Sequence, residues 1–161
     1  MTTPARDLLL FVCTANVCRS PMAEVLMRHA LDAEEEPLRS LRTASAGVVA
    51  SPGYKATENS VCALRKVGLS LEGHSSQPVT PELLDQCFAV FAMTSSHLDI
   101  LRAHFAPLPS RVYLLREFIP QSATKEIPDP YGASLRHYEA CRDSMVEAIP
   151  PLLKYLRAEL S

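Results

Sequence analysis

The chain has no excess of positive charge: 16 lysines and arginines stand against 18 acidic residues, a formal charge of −2. A nucleic-acid binder needs a basic face, so that class of partner is set aside. No apolar run is long enough to cross a bilayer, and Met1 to Asp7 lead straight into a strand-like segment instead of a signal peptide. No membrane partner is expected, and the expected compartment is the cytoplasm. The five cysteines are odd in number and follow no disulfide framework, as suits free thiols under reducing conditions. No His/Cys/Asp cluster has ligand spacing, so neither a metal nor another cofactor is expected. Repeats and low-complexity tracts are also missing. What remains is a chain of 161 residues, 47% hydrophobic and 21% charged, the size and balance of one globular domain spanning 1–161.

One stretch stands out against this ordinary background. Leu8 to Val12 is an apolar run fit for a buried strand, Cys13 to Arg19 is a short loop of mostly small and polar residues, and Ser20-Pro21 signals a helix start. A loop between a strand's end and a helix's start is an anion cup. The first-turn amides have no intrahelical partners, the helix dipole adds positive potential, and successive loop amides can converge as a nest. Thr14, Ala15, Asn16, Val17 and Cys18 would line it. Pro21 is expected at the first helical position, where its missing N–H costs nothing. Asn16 tolerates left-handed backbone, which helps to curl such a loop, and its amide can brace it.

Cys13 ends the strand and Arg19 opens the helix. Helix N-termini and guanidinium groups favour thiolate over thiol, and the thiolate is the nucleophile. A guanidinium can hold two phosphoryl oxygens bidentately. Ser20 can donate its hydroxyl to the sulfur and ease the departure of a thiolate from phosphorus. The bare Cys-x5-Arg spacing is weak, since five cysteines and twelve arginines produce it by chance roughly 0.4 times. Its strand–loop–helix context is what the chemistry requires.

The run Cys-Thr-Ala-Asn-Val-Cys-Arg-Ser-Pro-Met-Ala-Glu at Cys13 to Glu24 resembles the signature of the low-molecular-weight protein-tyrosine-phosphatase family. Ser45-Ala46-Gly47, Ala92-Met93-Thr94 with His97 just after, and Asp129-Pro130-Tyr131 follow in the family's order, so the resemblance covers nearly the whole chain. It implies Cys13 as nucleophile, Arg19 as phosphate clamp, Ser20 as thiolate partner and Asp129 as general acid. From the residues alone Asp129-Pro130 reads as a turn initiator, although flanking prolines would hold the carboxylate stiffly. The resemblance also implies that Ser45 and His74 join Asn16 in a hydrogen-bond network under the loop. It further implies that Cys18 can close a reversible disulfide with Cys13 against over-oxidation. The bland alternative for Cys18 is an inert buried thiol.

Read in order, the chain alternates strand and helix. After Leu8 to Val12, a helix from Pro21 carries Met22, Val25, Leu26, His29 and Ala30 at helical spacing, with His29 expected to pack and not to ligate. Arg42 to Ala46 reads as a second strand, Thr57 as the cap of a helix facing inward with Val61, Leu64, Arg65 and Val67, and Gly68 as its stop. Thr80-Pro81-Glu82 starts a short helix, Phe88 to Met93 is a third strand, Ser95 or Ser96 caps the next helix, and Val112 to Leu115 is a fourth strand. Ser134 caps a last helix through Tyr138, Met145, Val146 and Ile149, which Pro150-Pro151 should kink or restart. Such alternation predicts an α/β fold, a three-layer α/β/α arrangement on a four-stranded parallel sheet, with ligand at the strands' carboxyl ends. Glu117 to Ala133, rich in proline, is predicted as a long functional loop.

The expected partner is a phosphorylated protein, and the expected state a monomer. Phosphotyrosine needs aromatic walls, and Tyr131 supplies one. The following residue is Gly132, where tyrosine-directed members often carry a second aromatic, and the loop after Gly47 has none before Tyr54. Several departures resemble the protein-arginine-phosphatase branch, which favours threonine at the position of Val17. Val17 has threonine's shape without its hydroxyl. Phosphotyrosine is the first expectation and phosphoarginine the alternative. Arsenate reductases share the cup but need a relay of closely spaced cysteines, whereas Cys62, Cys87 and Cys141 are far apart. A phosphoprotein-binding module without activity would be expected to lack the nucleophile, clamp or acid.

Overall fold

The computed structural model describes residues 5–121 and 123–161. The absence of a signal peptide was expected partly on residues 1–4, which lie outside that set. Four strands, β1 (Leu8–Cys13), β2 (Arg42–Gly47), β3 (Cys87–Ala92) and β4 (Val112–Leu114), form one parallel sheet in the order β2-β1-β3-β4. The helices are α1 (Arg19–Asp32), α2 (Glu58–Arg65), α3 (Pro81–Leu84), α4 (Ser95–His104) and α5 (Leu135–Glu159), with one 3-10 turn at Leu38–Ser40.

The three layers follow from period two in the central strand. Leu9, Phe11 and Cys13 project into a core shared with Met22 and Leu26 of α1, Leu64 of α2, and Tyr138, Met145, Leu152 and Leu156 of α5. Leu8, Leu10 and Val12 project the other way, onto Leu84 of α3 and Leu98 and Leu101 of α4. Both faces of β1 are dry, which is why it reads as an unbroken apolar run. Phe11, Phe91 and Tyr113 stand side by side in register across three strands, with ring centroids 5.6 and 6.3 Å apart. This aromatic row floors the core beneath the long last helix.

Several local expectations are corrected. Helix α1 begins at Arg19, so Pro21 is its third residue; an N–H there would still be among the four without an intrahelical acceptor, so proline is tolerated. His29 faces solvent instead of packing. Helix α2 stops at Arg65, leaving Arg65 and Val67 exposed, with Gly68 turning the chain at φ +80°. Thr57 holds the cap position, yet its hydroxyl pairs with Ser60 Oγ at 2.9 Å. Helix α4 is capped by Thr94, one residue before Ser95: Thr94 and His97 form a reciprocal capping box, while the Ser95 amide and hydroxyl donate to the Glu126 carboxylate.

Helix α5 runs through Pro150 and Pro151 without a restart. Two interior prolines forfeit two ladder bonds. Burial on the inward face continues across them, with Met145 and Ala148 before and Leu152 and Leu156 after, and that packing outweighs the loss. Val146, expected inside, is exposed. Among the described residues no helix is long and apolar enough to cross a membrane.

Candidate active site

The loop from Thr14 to Cys18 hangs at the carboxyl end of β1, and its carbonyls are tied outward one after another. The Cys13 carbonyl accepts from Val48 N at 2.9 Å, that of Thr14 from Val49 N at 2.9 Å, and that of Val17 from Thr57 N at 2.9 Å. The Asn16 carbonyl meets His74 Nε2 at 2.8 Å, and the Cys18 carbonyl accepts from Ser60 Oγ at 3.2 Å. In a trans peptide the N–H of the next residue points opposite to the C=O. Pinning these carbonyls outside therefore turns the amides of Thr14, Ala15, Val17, Cys18 and Arg19 inward, over the Cys13 sulfur. The result is a nest with a helix start as part of its wall.

The curl depends on two residues. Asn16 is fully buried with φ +60°, the left-handed region that asparagine tolerates. Gly47, paired with Cys13 in the sheet, lies so close beneath the loop that a Cβ would sit 2.5 Å from the Thr14 carbonyl oxygen and 2.7 Å from Ala50 Cβ. Gly47→Ala is expected to destabilise the protein by about 1–3 kcal/mol by overpacking and to weaken vanadate binding, because Thr14 must move. Denaturant melts and vanadate titration measure the two effects.

A polar chain fixes the direction of the proton next to the sulfur. The Gln77 amide donates to Asn16 Oδ1 at 2.9 Å, so the Asn16 Nδ2 group faces the opposite way and donates to Ser20 Oγ at 2.8 Å and Ser45 Oγ at 2.9 Å. The Ser45 hydroxyl donates in turn to Glu24 Oε1 at 2.6 Å. Burial pushes the Glu24 carboxyl up, against the opposing bond from Ser45 and the nearby His74. With its oxygen already accepting from Asn16, Ser20 directs its hydroxyl at Cys13 Sγ, 2.9 Å away, in preference to the Ala46 carbonyl at 3.5 Å.

Arg19 is 3% exposed, and its Nη1 donates to the Ile127 carbonyl at 2.8 Å. Its Nη2 lies 3.9 Å from Asp129 Oδ2. Its Nε is the one buried side-chain nitrogen or oxygen among the described residues left with no hydrogen-bond partner. A buried cation with an orphaned donor is costly unless an acceptor arrives. Asp129 comes from the proline-rich loop and accepts from Tyr131 N at 3.0 Å. That loop is anchored by the Cys141 thiol on the Pro128 carbonyl at 3.3 Å and by the Ile127 amide on the Met93 carbonyl at 3.0 Å.

Cys13, Thr14, Ala15, Val17, Cys18, Arg19, Asp129 and Tyr131 line one cleft of about 490 Å³, with Val49, Ser51 and Tyr54 opposite. Ser20, Asn16, Ser45 and His74 lie beneath it, as the network above describes. Sequence reasoning had no role for Glu24, Gln77 or Ser60, and it discounted Tyr54. The exposed Val49, Tyr54 and Tyr131 form apolar walls, so the cleft has a second aromatic after all. Cys18 and Cys13 are both free thiols. The Cys18 sulfur lies 3.5 Å from Tyr138 Oη and 3.7 Å from Thr57 Oγ1, and burial pushes its thiol up. The His97 ring reaches from α4 to the cup, with Nε2 3.0 Å from Thr14 Oγ1. Burial, reinforced by the Arg19 charge, pulls the His97 pKa down to about 4.

A parallel α/β sheet with a thiol, a guanidinium and inward amides at its carboxyl edge is the arrangement that cysteine-dependent phosphatases use. Within that class, a profile of the low molecular weight phosphotyrosine protein phosphatases matches residues 8–161, and the chain belongs to this family of hydrolases that act on phosphorylated proteins. The protein-arginine-phosphatase of Bacillus subtilis is 39% identical over 151 residues, 94% of this chain and 97% of that protein. The low molecular weight protein-tyrosine-phosphatase Etp of Escherichia coli is 32% identical over 131 residues, 81% and 82% of the two chains. Among solved structures, a Cys-to-Ser mutant of the YwlE arginine phosphatase with a phosphorylated active-site serine superposes with a TM-score of 0.81. It is 35% identical, and the match covers 93% of this chain and 95% of that one.

Proposed function

We propose that Cys13, Arg19, Ser20 and Asp129 hydrolyse a phosphate ester on protein tyrosine through a cysteinyl-phosphate. The supporting observation is the orphaned Nε of buried Arg19, a residue that lines the same cleft as the Cys13 sulfur. In the first step the thiolate attacks phosphorus, an S–P bond forms and the P–O bond to the ring breaks. Asp129, as the carboxylic acid, gives its proton to the departing phenolic oxygen. In the second step Asp129, now a carboxylate, takes a proton from water as the water oxygen bonds to phosphorus. The S–P bond breaks, and the Ser20 hydroxyl receives the returning thiolate. Arg19 and the loop amides hold the three equatorial oxygens throughout.

Asp129→Ala is expected to lower kcat roughly 10²- to 10³-fold on a phenolic substrate and to leave vanadate affinity nearly unchanged. The loss should shrink on substrates with more acidic leaving groups, which need less protonation. Turnover near wild type at neutral pH would remove Asp129 from the mechanism.

Tyr54, Tyr131 and Val49 suit a flat aryl group entering the cleft. Phosphoarginine is the second reading. It is favoured by the higher identity and longer alignment to the Bacillus subtilis arginine phosphatase, and by the single aromatic before Gly132. The half-buried Val17 side chain lines the cup without a hydroxyl. The expected result is a higher kcat/KM on phosphotyrosine than on phosphoarginine peptides, with Val17→Thr moving the ratio toward phosphoarginine. A wild-type preference for phosphoarginine would reverse the ranking. The cytoplasm and a monomeric state suit such an enzyme, and size-exclusion chromatography with light scattering tests the latter.

A further inference from the structure

His97 does not itself line the cleft. It lies at the third position of α4, is 3% exposed, and is tied into the helix cap. Its ring nevertheless bridges two elements that share no other role. Nδ1 lies 3.2 Å from the Thr94 amide and 3.1 Å from Thr94 Oγ1, while Nε2 lies 3.0 Å from Thr14 Oγ1 on the cleft wall.

The Thr94 backbone N–H can only donate, so Nδ1 must be the unprotonated nitrogen that accepts. A neutral ring then carries its proton on Nε2. Burial and the positive charge of Arg19 keep the ring neutral through the range in which the protein would work, since its pKa falls to about 4. With the tautomer fixed, Nε2–H donates to Thr14 Oγ1 and occupies that oxygen as an acceptor. The Thr14 hydroxyl proton is thereby released from the protein side. Thr14 is exposed within the cleft, beside Cys13 and Arg19.

We infer that His97 is a positioning residue that makes the Thr14 hydroxyl a hydrogen-bond donor to an oxyanion in the cup. A relay runs from the Thr94 amide through the imidazole to Thr14 and on to a ligand oxygen. It adds one side-chain donor to the amides and guanidinium, and it couples the end of β3 and the cap of α4 to binding. This inference deepens the phosphatase reading and rests on it, because the oxyanion it serves is the phosphoryl group or its mimic.

The test uses the whole protein with orthovanadate and inorganic phosphate as probes, read by binding and not by turnover. Thr14→Val keeps the shape and removes the hydroxyl; it is expected to weaken vanadate binding roughly tenfold, the size of one hydrogen bond to a charged acceptor, while Thr14→Ser restores most of the loss. His97→Asn retains an acceptor for the Thr94 amide but cannot reach Thr14. It should weaken binding about threefold or more, and the double variant should bind no worse than Thr14→Val alone. Imidazole ¹⁵N NMR should show Nε2 protonated in the free protein. The Nε2 proton signal should move on vanadate binding in wild type and stay still in Thr14→Val.

Vanadate affinity within twofold of wild type in Thr14→Val, fully additive losses, or an Nδ1-protonated ring would each overturn the relay. A wild-type protein that binds vanadate in this way yet hydrolyses no aryl phosphate would overturn the phosphotyrosine reading and leave the relay standing.

Discussion

Cys13→Ser is expected to reduce kcat on an aryl phosphate by roughly 10⁵- to 10⁶-fold, the largest effect of any single change in this chain. Serine preserves the shape of the site and even the bond to Ser20, now between two hydroxyls. What it removes is the sulfur, intrinsically a far better nucleophile and leaving atom than a hydroxyl oxygen. A serine hydroxyl in the same amide ring has no base beside it: Ser20 points its proton toward the attacking atom, and His97 has its Nε2 proton committed to Thr14. The amides and Arg19 are untouched, so phosphate and vanadate should still bind. The two properties therefore separate. If serine does attack, the second step is harder still, because an alkoxide leaves phosphorus far less readily than a thiolate. Intact-mass analysis after incubation with substrate should then find the variant carrying one phosphate. Turnover within a hundredfold of wild type would show that the sulfur is not the attacking atom.

The contrast between what sequence disclosed and what it concealed has a physical pattern. Strand β1 is legible because both its faces are buried, and the alternation of strands and helices gives the parallel sheet. The cup is legible because Cys13, Arg19 and Ser20 fall within eight residues, so local spacing alone brings them together. Tyr54 and Val49 were not legible. They reach the cleft through a loop whose path is set by bonds to distant partners, among them Val49 N on the Thr14 carbonyl and Tyr54 N on Ser76 Oγ. Glu24 and Gln77 were hidden for a related reason: each acts through a hydrogen bond to a residue more than twenty positions away. The continuity of α5 was misjudged because a proline penalty is local, whereas the burial on either side of Pro150-Pro151 belongs to the tertiary fold.

The second large effect is at Arg19, where binding and stability are linked. Arg19→Lys is expected to lower kcat/KM by about 10³. An ammonium is a point donor. It cannot hold the Ile127 carbonyl and two phosphoryl oxygens in one plane as the guanidinium can. Arg19→Met tests the same residue from the other direction. In the unliganded wild type the charge is buried, its Nε has no acceptor, and the carboxylate within 4 Å, that of Asp129, is 54% exposed at 3.9 Å. Methionine relieves that desolvation but strands the Ile127 carbonyl, and the two terms should come within about 2 kcal/mol of each other, so the unliganded Tm moves little. Phosphate supplies the missing acceptor only in wild type. At a concentration a hundred times its Kd it should stabilise wild type by about 2.7 kcal/mol and Arg19→Met hardly at all. Thermal melts with and without phosphate read this directly. Equal stabilisation of both proteins would mean that the anion is held by the amides alone and that the buried guanidinium serves the fold, not the ligand.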